Sequence, residues 1–133
     1  MYLFCYFLFI IAIMEFANIA IGTDIEKTER FKRYSSKDSD MLDKIFTPKE
    51  LEYCFSKSKY YLNLCGRYCA KEAVVKALSE LGIKDIYYSD IETLNEPDGK
   101  PVCKIKKYPN IKIKISISHC SDYATANVFC VKE

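Results

Sequence analysis

The longest helical pattern in the chain spans residues 60–81 and ends at Gly82. Within it, the segment 66–78 reads GRYCAKEAVVKAL, and its Ala, Val and Leu content indicates burial. The same segment carries Glu72 and Lys76, which lie on one helix face because residues four apart point the same way. The pattern allows either an ordinary solvated ion pair, worth about 0.3 kcal/mol, or two functional side chains directed at one site.

Shorter elements flank this helix. Before it we predict a buried strand over 16–22, and helices over approximately 24–34, 40–46 and 48–57. The last of these helices has Thr47 as its cap and Pro48 in its first turn. After the long helix come four β-branched segments separated by turn signals: DIETLNE, PVCKIKK, IKIKISIS and YATANVFCV.

This order of elements predicts an α+β fold in which a mostly antiparallel sheet packs against the long helix. NEPDGKP, between the first two of the late strands, is a hairpin-type loop containing Asp-Gly. With 133 residues, half of them hydrophobic, the chain suits one domain with one core, which we place at 16–133. The formal charge of +2 is too small to make nucleic acid the first expectation.

The apolar run YLFCYFLFIIAIM makes residues 1–15 distinct from the rest of the chain. Thirteen residues are short for a membrane span, but they match the core of a signal peptide. No Lys or Arg precedes the run and no clear cleavage site follows it. A signal or anchor and an artefact of gene prediction therefore stay open as interpretations of 1–15.

The seven cysteines follow neither a disulfide framework nor a zinc pattern. Their number is odd, their spacing is irregular, and His119 is the only histidine available to join them. We interpret them as small hydrophobic side chains in a reducing compartment.

Two carboxylates from distant segments are candidate ligands of a hard cation. Asp24 is predicted just beyond the first strand, and Glu72 lies inside the long helix among small apolar residues. Magnesium prefers one or two protein carboxylates and completes its octahedron with waters and phosphate oxygens. Each residue also has an ordinary interpretation, Asp24 as a helix cap and Glu72 as a surface acid.

Five motifs occur in order along the chain: GTDI, FTPKELEYC, GRYCAKEAVVKAL, NEPDGKP and SISH. In this combination the chain resembles the holo-acyl-carrier-protein synthase family of 4′-phosphopantetheinyl transferases over about residues 16–131. The resemblance implies transfer of 4′-phosphopantetheine from coenzyme A to a serine of apo-acyl carrier protein, with adenosine 3′,5′-bisphosphate released, in support of fatty acid biosynthesis.

The resemblance also implies roles for particular residues. Asp24 and Glu72 would bind Mg²⁺, and Lys76 would contact the pyrophosphate oxygens. Binding of coenzyme A would involve the following residues: Arg67, Lys76, Gly99, Lys100, Pro101, Ser118 and His119.

Family members are typically trimers with an active site between subunits. The resemblance therefore implies that Asp24, Glu72 and Lys76 come from one chain and the loop 99–101 from its neighbour. The expected partner is an acidic acyl carrier protein, with Arg30 and Arg33 on the docking surface.

The chain departs from the family pattern GRFAAKEA at Tyr68 and Cys69, and we expect these changes to affect packing only. One alternative function is a catalytically inactive homologue that serves as a docking subunit for carrier proteins. A second is a nucleic-acid-binding module, because lysines alternate with apolar residues in two late strands: Lys104, Lys106, Lys112 and Lys114. The expected location is the cytoplasm or, if the leader is a targeting signal, a plastid-like organelle.

Overall fold

The structure, a computed structural model, describes residues 4–8, 10 and 16–133. Within that part of the chain, no helix is long and apolar enough to cross a membrane. Residues 4–8 are helical and lie in the apolar leader, but 1–3, 9 and 11–15 fall outside the description. The two interpretations of the leader therefore remain predictions.

The main sheet is antiparallel and has the order β1-β5-β4. Its strands are β1 (Ile19–Lys27), β4 (Ile111–His119) and β5 (Tyr123–Lys132). A separate antiparallel hairpin is formed by β2 (Ile91–Asn95) and β3 (Pro101–Ile105).

The turn of this hairpin, within NEPDGKP, places Gly99 at a φ of 88°. A positive φ of this size favours glycine over residues with a Cβ atom. The predicted hairpin loop is confirmed.

Four helices lie between β1 and the hairpin. These are α1 (Glu29–Lys32), α2 (Asp40–Asp43), α3 (Pro48–Phe55) and α4 (Tyr60–Glu80). A capping box begins α3, in which Thr47 Oγ1 accepts from the Glu50 amide and the Glu50 carboxylate accepts from the Thr47 amide. The predicted cap, the long helix and the α+β architecture are confirmed.

The first strand extends further than predicted. β1 runs to Lys27 instead of ending at Gly22, and the helix after it, capped at Thr28, is only one turn long. The physical reason is that β5 pairs with β1 along its whole length, from Ile19–Val131 to Lys27–Tyr123. The prediction that Asp24 caps a helix is therefore wrong, because Asp24 lies within a strand opposite Ala126.

The long helix α4 packs directly against the sheet and contacts β1 at Gly22. A Cβ atom on Gly22 would lie 1.9 Å from the carbonyl oxygen of Ala73 and 3.1 Å from Val128 Cγ2. Only glycine allows the strand and helix backbones to come this close. This contact places Asp24, two residues along the same strand and on the same face, beside α4.

Five of the seven cysteines are buried free thiols, and they contribute to the packed interior: Cys54, Cys65, Cys69, Cys103 and Cys130. Burial raises the pKa of the Cys103 and Cys130 thiols to about 11 each, so both remain protonated at neutral pH. This placement agrees with the interpretation of the cysteines as small hydrophobic side chains.

A fully buried ion pair joins α3, α4 and the hairpin. The Lys71 ammonium lies 2.7 Å from Glu50 Oε2, and both side chains are completely excluded from solvent. Lys71 also donates to the carbonyls of Tyr88 and Ile91, while Glu50 Oε1 accepts from the Thr93 amide at 2.8 Å. These contacts fix α4 against β2, because the charges of a buried pair must be fully hydrogen-bonded.

The outer face of the main sheet carries exposed apolar side chains. Ile21 and Ile25 on β1 are 69% and 64% exposed, and Phe129 on β5 is 43% exposed. Ile21 and Phe129 are direct cross-strand partners. Large exposed apolar side chains that adjoin one another are typical of a surface that a protein partner covers.

Candidate active site

The Asp24 carboxylate projects from β1 towards α4 and uses only one of its oxygens. Its side chain is 12% exposed. Oδ1 accepts a hydrogen bond of 3.0 Å from Lys76 Nζ, whereas Oδ2 is buried and has no hydrogen-bond partner among the described residues. A buried carboxylate oxygen without a donor is costly, so we expect Oδ2 to take a partner such as a cation or a water molecule.

Lys76 pairs with Asp24 rather than with Glu72 of its own helix. Its ammonium donates to Asp24 Oδ1 at 3.0 Å and to the Thr23 carbonyl at 2.9 Å, and its side chain is 53% exposed. The hydrogen bond to Asp24 raises the pKa of Lys76 above its usual value, so the group stays cationic at neutral pH. The exposed Lys76 ammonium therefore lies beside the Asp24 carboxylate, whose Oδ2 has no hydrogen-bond partner among the described residues.

Glu72 lies about one turn before Lys76 on the same face of α4. Its Oε1 accepts hydrogen bonds from two phenols, from Tyr68 Oη at 3.0 Å and from Tyr88 Oη. Burial, followed by the hydrogen bond to Glu72, raises the pKa of both phenols, so both remain protonated donors. Among the described residues, no hydrogen bond is made to Oε2 of Glu72.

The donor set of this site suits magnesium. No group of three His, Cys, Asp or Glu side chains suited to a metal ion occurs in the described ranges. Magnesium does not require one, because it takes one or two carboxylates and completes its shell with waters and substrate phosphates. Asp24 Oδ2 and Glu72 Oε2, each without a hydrogen bond from a described residue, are oxygen ligands of the required type.

Arg67 lies on another side of the same helix. Five residues separate it from Glu72, which places the two side chains about 140° apart around the helix axis. Arg67 is 4% exposed; its Nε donates to the Thr93 carbonyl at 3.1 Å and its Nη2 to Asn95 Oδ1 at 2.7 Å. The ring of Tyr53 lies 4.1 Å from the guanidinium carbon. None of these partners is an acid, so the positive charge is available to an anion.

A cavity of about 220 Å³ lies beside this guanidinium. It is bounded by residues from α4, the hairpin turn and the end of β4, including Gly66, Arg67, Gly99, Pro101 and His119. Four of the residues predicted to bind coenzyme A are thus brought together in one chain. The cavity contains none of Asp24, Glu72 and Lys76.

Besides Lys76, two of the predicted coenzyme A residues do not line this cavity. Ser118 is exposed and, by strand alternation, lies on the opposite face of β4 from Ile117, which does line it. The Lys100 side chain is also absent from the lining, although its amide donates to Asp98 Oδ1 at 3.0 Å and helps to shape the turn.

The two predicted docking arginines are exposed on or beside α1. Arg30 forms an ion pair of 3.1 Å with Glu26, and its guanidinium carbon lies 4.8 Å from the centre of the Tyr68 ring. Arg33 donates to the hydroxyl of Tyr34 at 3.0 Å. These contacts leave both cations on the surface, and their role in docking remains a prediction.

The four alternating lysines come from two different sheets and from the segment after one of them. Lys104 belongs to β3 and Lys106 directly follows that strand, Lys112 and Lys114 belong to β4, and all four border a groove of about 570 Å³. Lys104 is opposite Glu92 in the hairpin, and Lys112 is 3.7 Å from Glu133. Acids next to the lysines reduce the positive potential that nucleic-acid binding requires.

Comparison with known proteins decides the family. The model of the 4′-phosphopantetheinyl transferase superfamily matches residues 20–133. The chain belongs to this superfamily. The holo-[acyl-carrier-protein] synthase of Protochlamydia amoebophila is 40% identical over 118 residues, covering 82% of this chain and 94% of the relative.

Solved structures of similar proteins agree with the fold. The holo-(acyl-carrier-protein) synthase of Bacillus anthracis, in complex with CoA (3′,5′-ADP), has a TM-score of 0.69 and 29% identity, covering 86% of this chain and 96% of that one. The holo-[acyl-carrier-protein] synthase of Helicobacter pylori, in complex with coenzyme A, has a TM-score of 0.66 and 31% identity. The match covers 81% of this chain and 96% of that one. The α+β fold that the sequence predicts for this phosphopantetheinyl transferase is therefore confirmed.

Sequence reasoning missed several residues around the site. The expectation that Tyr68 affects packing only was incomplete, because its hydroxyl contacts Glu72, as does that of Tyr88. The position of Tyr68, four residues before Glu72 on a helix, was the available signal. Glu50 and Lys71 gave no such signal, since a buried pair 21 residues apart depends on the packing of three elements.

Proposed function

We propose that this chain transfers 4′-phosphopantetheine from coenzyme A to a serine of apo-acyl carrier protein, in a Mg²⁺-dependent reaction that supports fatty acid biosynthesis. The carrier serine hydroxyl gives up its proton to a base or to solvent, and its oxygen forms a bond to the β-phosphorus of coenzyme A. The bond from that phosphorus to the bridging oxygen breaks, and adenosine 3′,5′-bisphosphate leaves. The observation that carries the proposal is the buried Oδ2 of Asp24, which has no hydrogen-bond partner among the described residues, beside the exposed ammonium of Lys76. Glu72 lies one turn before Lys76 on the same helix face.

Each group has a distinct part in this reaction. Asp24 and Glu72 would hold Mg²⁺, which when bound neutralises charge on the pyrophosphate oxygens. Lys76 has a raised pKa and stays charged, so it stabilises the negative charge that develops on the leaving bisphosphate. The charge of Arg67, which forms no ion pair with a described residue, suits the 3′-phosphate of coenzyme A, with His119 as a second donor at the same cavity.

The active protein is proposed to be a homotrimer in which each site combines two subunits. Asp24, Glu72 and Lys76 come from one subunit, and the Arg67 cavity with the loop 99–101 comes from its neighbour. Two observations support this arrangement. The two groups of residues lie on different sides of α4, and the exposed Ile21, Ile25 and Phe129 form an apolar surface for a neighbouring subunit.

The carrier protein is proposed to be acidic and to dock at Arg30 and Arg33. Both side chains are exposed cations near α1. Their charges would speed and orient the encounter more than they fix affinity. The enzyme is proposed to act in the cytoplasm or, if the leader is a targeting signal, in a plastid-like organelle.

Mixing two defective variants tests the function together with the shared site. Glu72→Gln removes a metal ligand, and Arg67→Gln removes the phosphate-binding charge while keeping a donor for the Thr93 carbonyl. Each variant alone is expected to release little adenosine 3′,5′-bisphosphate from coenzyme A and apo-carrier. After joint refolding in equal amounts, random trimers should recover about one quarter of wild-type activity, because one site in four combines two intact halves.

The matched control for this mixing experiment is each variant refolded with itself. If the mixture is no more active than the two controls while wild type is active, the shared-site arrangement is wrong. If properly folded wild-type protein releases no bisphosphate with several carriers, the transferase proposal itself fails. The chain would then act as the inactive docking homologue.

A further inference from the structure

The strongest unexplained feature of the molecule is the pair of phenols on one oxygen of Glu72. Tyr68 reaches Oε1 from one turn earlier on α4, and Tyr88 reaches the same oxygen from the short 3₁₀ turn Tyr88–Asp90 that precedes β2. Two elements distant in sequence therefore converge on a single carboxylate oxygen. Nothing in the proposed chemistry requires either hydroxyl as a substrate contact.

The two phenols are held in place by packing around their rings. The Tyr68 ring lies between Phe31 and Tyr88, at centroid distances of 5.5 Å and 5.8 Å. The guanidinium carbon of Arg30 lies 4.8 Å from the centre of the same ring. The Tyr88 ring is half-buried and packs against the hydrophobic core. Because both rings are packed, the two hydroxyls hold Oε1 of Glu72 in place.

The arrangement has a consequence for the second oxygen. A carboxylate oxygen that already accepts two hydrogen bonds has used its favoured acceptor directions. Because Oε1 is occupied by two donors, Oε2 is the oxygen that remains available to a cation at the site. Residues that orient a metal ligand in this manner commonly change metal affinity by 10- to 100-fold when replaced.

We propose that Tyr68 and Tyr88 are positioning residues that reserve Oε2 of Glu72 as a single-oxygen ligand of the catalytic cation. The inference rests on the proposed role of Asp24 and Glu72 as a divalent-cation site. It assigns to the two phenols a part in cation affinity rather than in contact with coenzyme A or the carrier serine.

Phenylalanine replacements test the inference because they remove only the hydroxyls and keep the packed rings. Binding of Mn²⁺ to the full chain, without coenzyme A or carrier, is measured by electron paramagnetic resonance of the free ion. Tyr68→Phe and Tyr88→Phe are each expected to weaken Mn²⁺ binding about 3- to 10-fold, and the double variant about 10- to 100-fold. The matched control is Tyr87→Phe, one residue away, whose side chain is 75% exposed.

Steady-state kinetics provide a second measurement, which would stay unchanged if Tyr68 and Tyr88 had only a structural role. The Mg²⁺ concentration for half-maximal transfer should rise by the same factor as the Mn²⁺ dissociation constant. The KM for coenzyme A should stay at its wild-type value, and kcat at saturating Mg²⁺ should recover. Thermal unfolding midpoints of all variants are measured alongside.

Two outcomes overturn the inference, and they can be told apart. If Glu72→Gln weakens Mn²⁺ binding while the Tyr→Phe variants bind like wild type, the phenols do not position the ligand, and the proposed metal site stands. If wild type and Glu72→Gln bind Mn²⁺ equally, the cation site at Glu72 is itself absent, and the role assigned to the phenols fails with it.

Discussion

Replacing Glu72 by Gln is expected to reduce phosphopantetheine transfer by about 10²- to 10⁴-fold, because a lost metal ligand removes roughly 3–5 kcal/mol of charge stabilisation. The fold should be preserved, since the amide oxygen of Gln can still accept from the phenols of Tyr68 and Tyr88. The measurement is the initial rate of adenosine 3′,5′-bisphosphate release, with thermal unfolding followed in parallel.

Glu80→Gln is the matched control for this substitution. Glu80 lies two turns further along α4 and is exposed, so the same chemical change there should leave the rate within about twofold of wild type. A Glu72→Gln variant that retains a tenth or more of the wild-type rate at limiting Mg²⁺ would contradict the assigned role of Glu72.

Replacing Lys71 by Met is expected to lower the free energy of unfolding by about 3–5 kcal/mol, because it leaves the Glu50 carboxylate buried without its partner. Both side chains are fully excluded from solvent, so water cannot compensate. Urea denaturation followed by circular dichroism gives the free energy of unfolding. Lys84→Met, an exposed lysine near the end of α4, is the control and should change stability by less than about 0.5 kcal/mol.

A second substitution separates charge burial from loss of packing. Adding Glu50→Gln to Lys71→Met removes the unpaired charge, so the double variant should be more stable than Lys71→Met alone. Recovery will be incomplete, because Gln has one acceptor oxygen where the carboxylate serves the amides of both Thr47 and Thr93. A double variant no more stable than the single one would show that the buried charge is not the cause.

Local sequence signals predicted most of the architecture. Thr47 with Pro48 marked the start of α3, Gly82 marked the end of α4, and Asp-Gly marked the hairpin turn that includes Gly99. These features depend on the conformational preferences of a few neighbouring residues, so they can be read without knowledge of tertiary contacts.

The end of β1 could not be predicted in the same way. Polar residues such as Asp24 and Glu26 interrupt the apolar pattern and suggested a helix, but pairing with β5 extends the strand to Lys27. A partner strand about 100 residues away decides this boundary. The error moved Asp24 from a helix cap to a strand, yet its carboxylate still lies beside α4.

The candidate site was predicted in part. Asp24, Glu72 and Lys76 were recognisable from their motifs, and the structure brings Lys76 to Asp24 as the 3.0 Å ion pair shows. Arg67 was expected to bind a phosphate, but its burial and its neutral partners Thr93 and Asn95 depend on the packing of β2 on α4. Such contacts depend on tertiary packing, which cannot be predicted from local patterns in a single sequence.

The most direct test of the central claim is the intact mass of an apo-acyl carrier protein after incubation with this chain, coenzyme A and Mg²⁺. A carrier whose acceptor serine is replaced by alanine is the control. We predict a mass gain of one phosphopantetheine group on the native carrier, abolished by removal of the metal and absent from the alanine carrier. An unchanged carrier mass with folded wild-type protein, across several apo-carriers, would contradict the account.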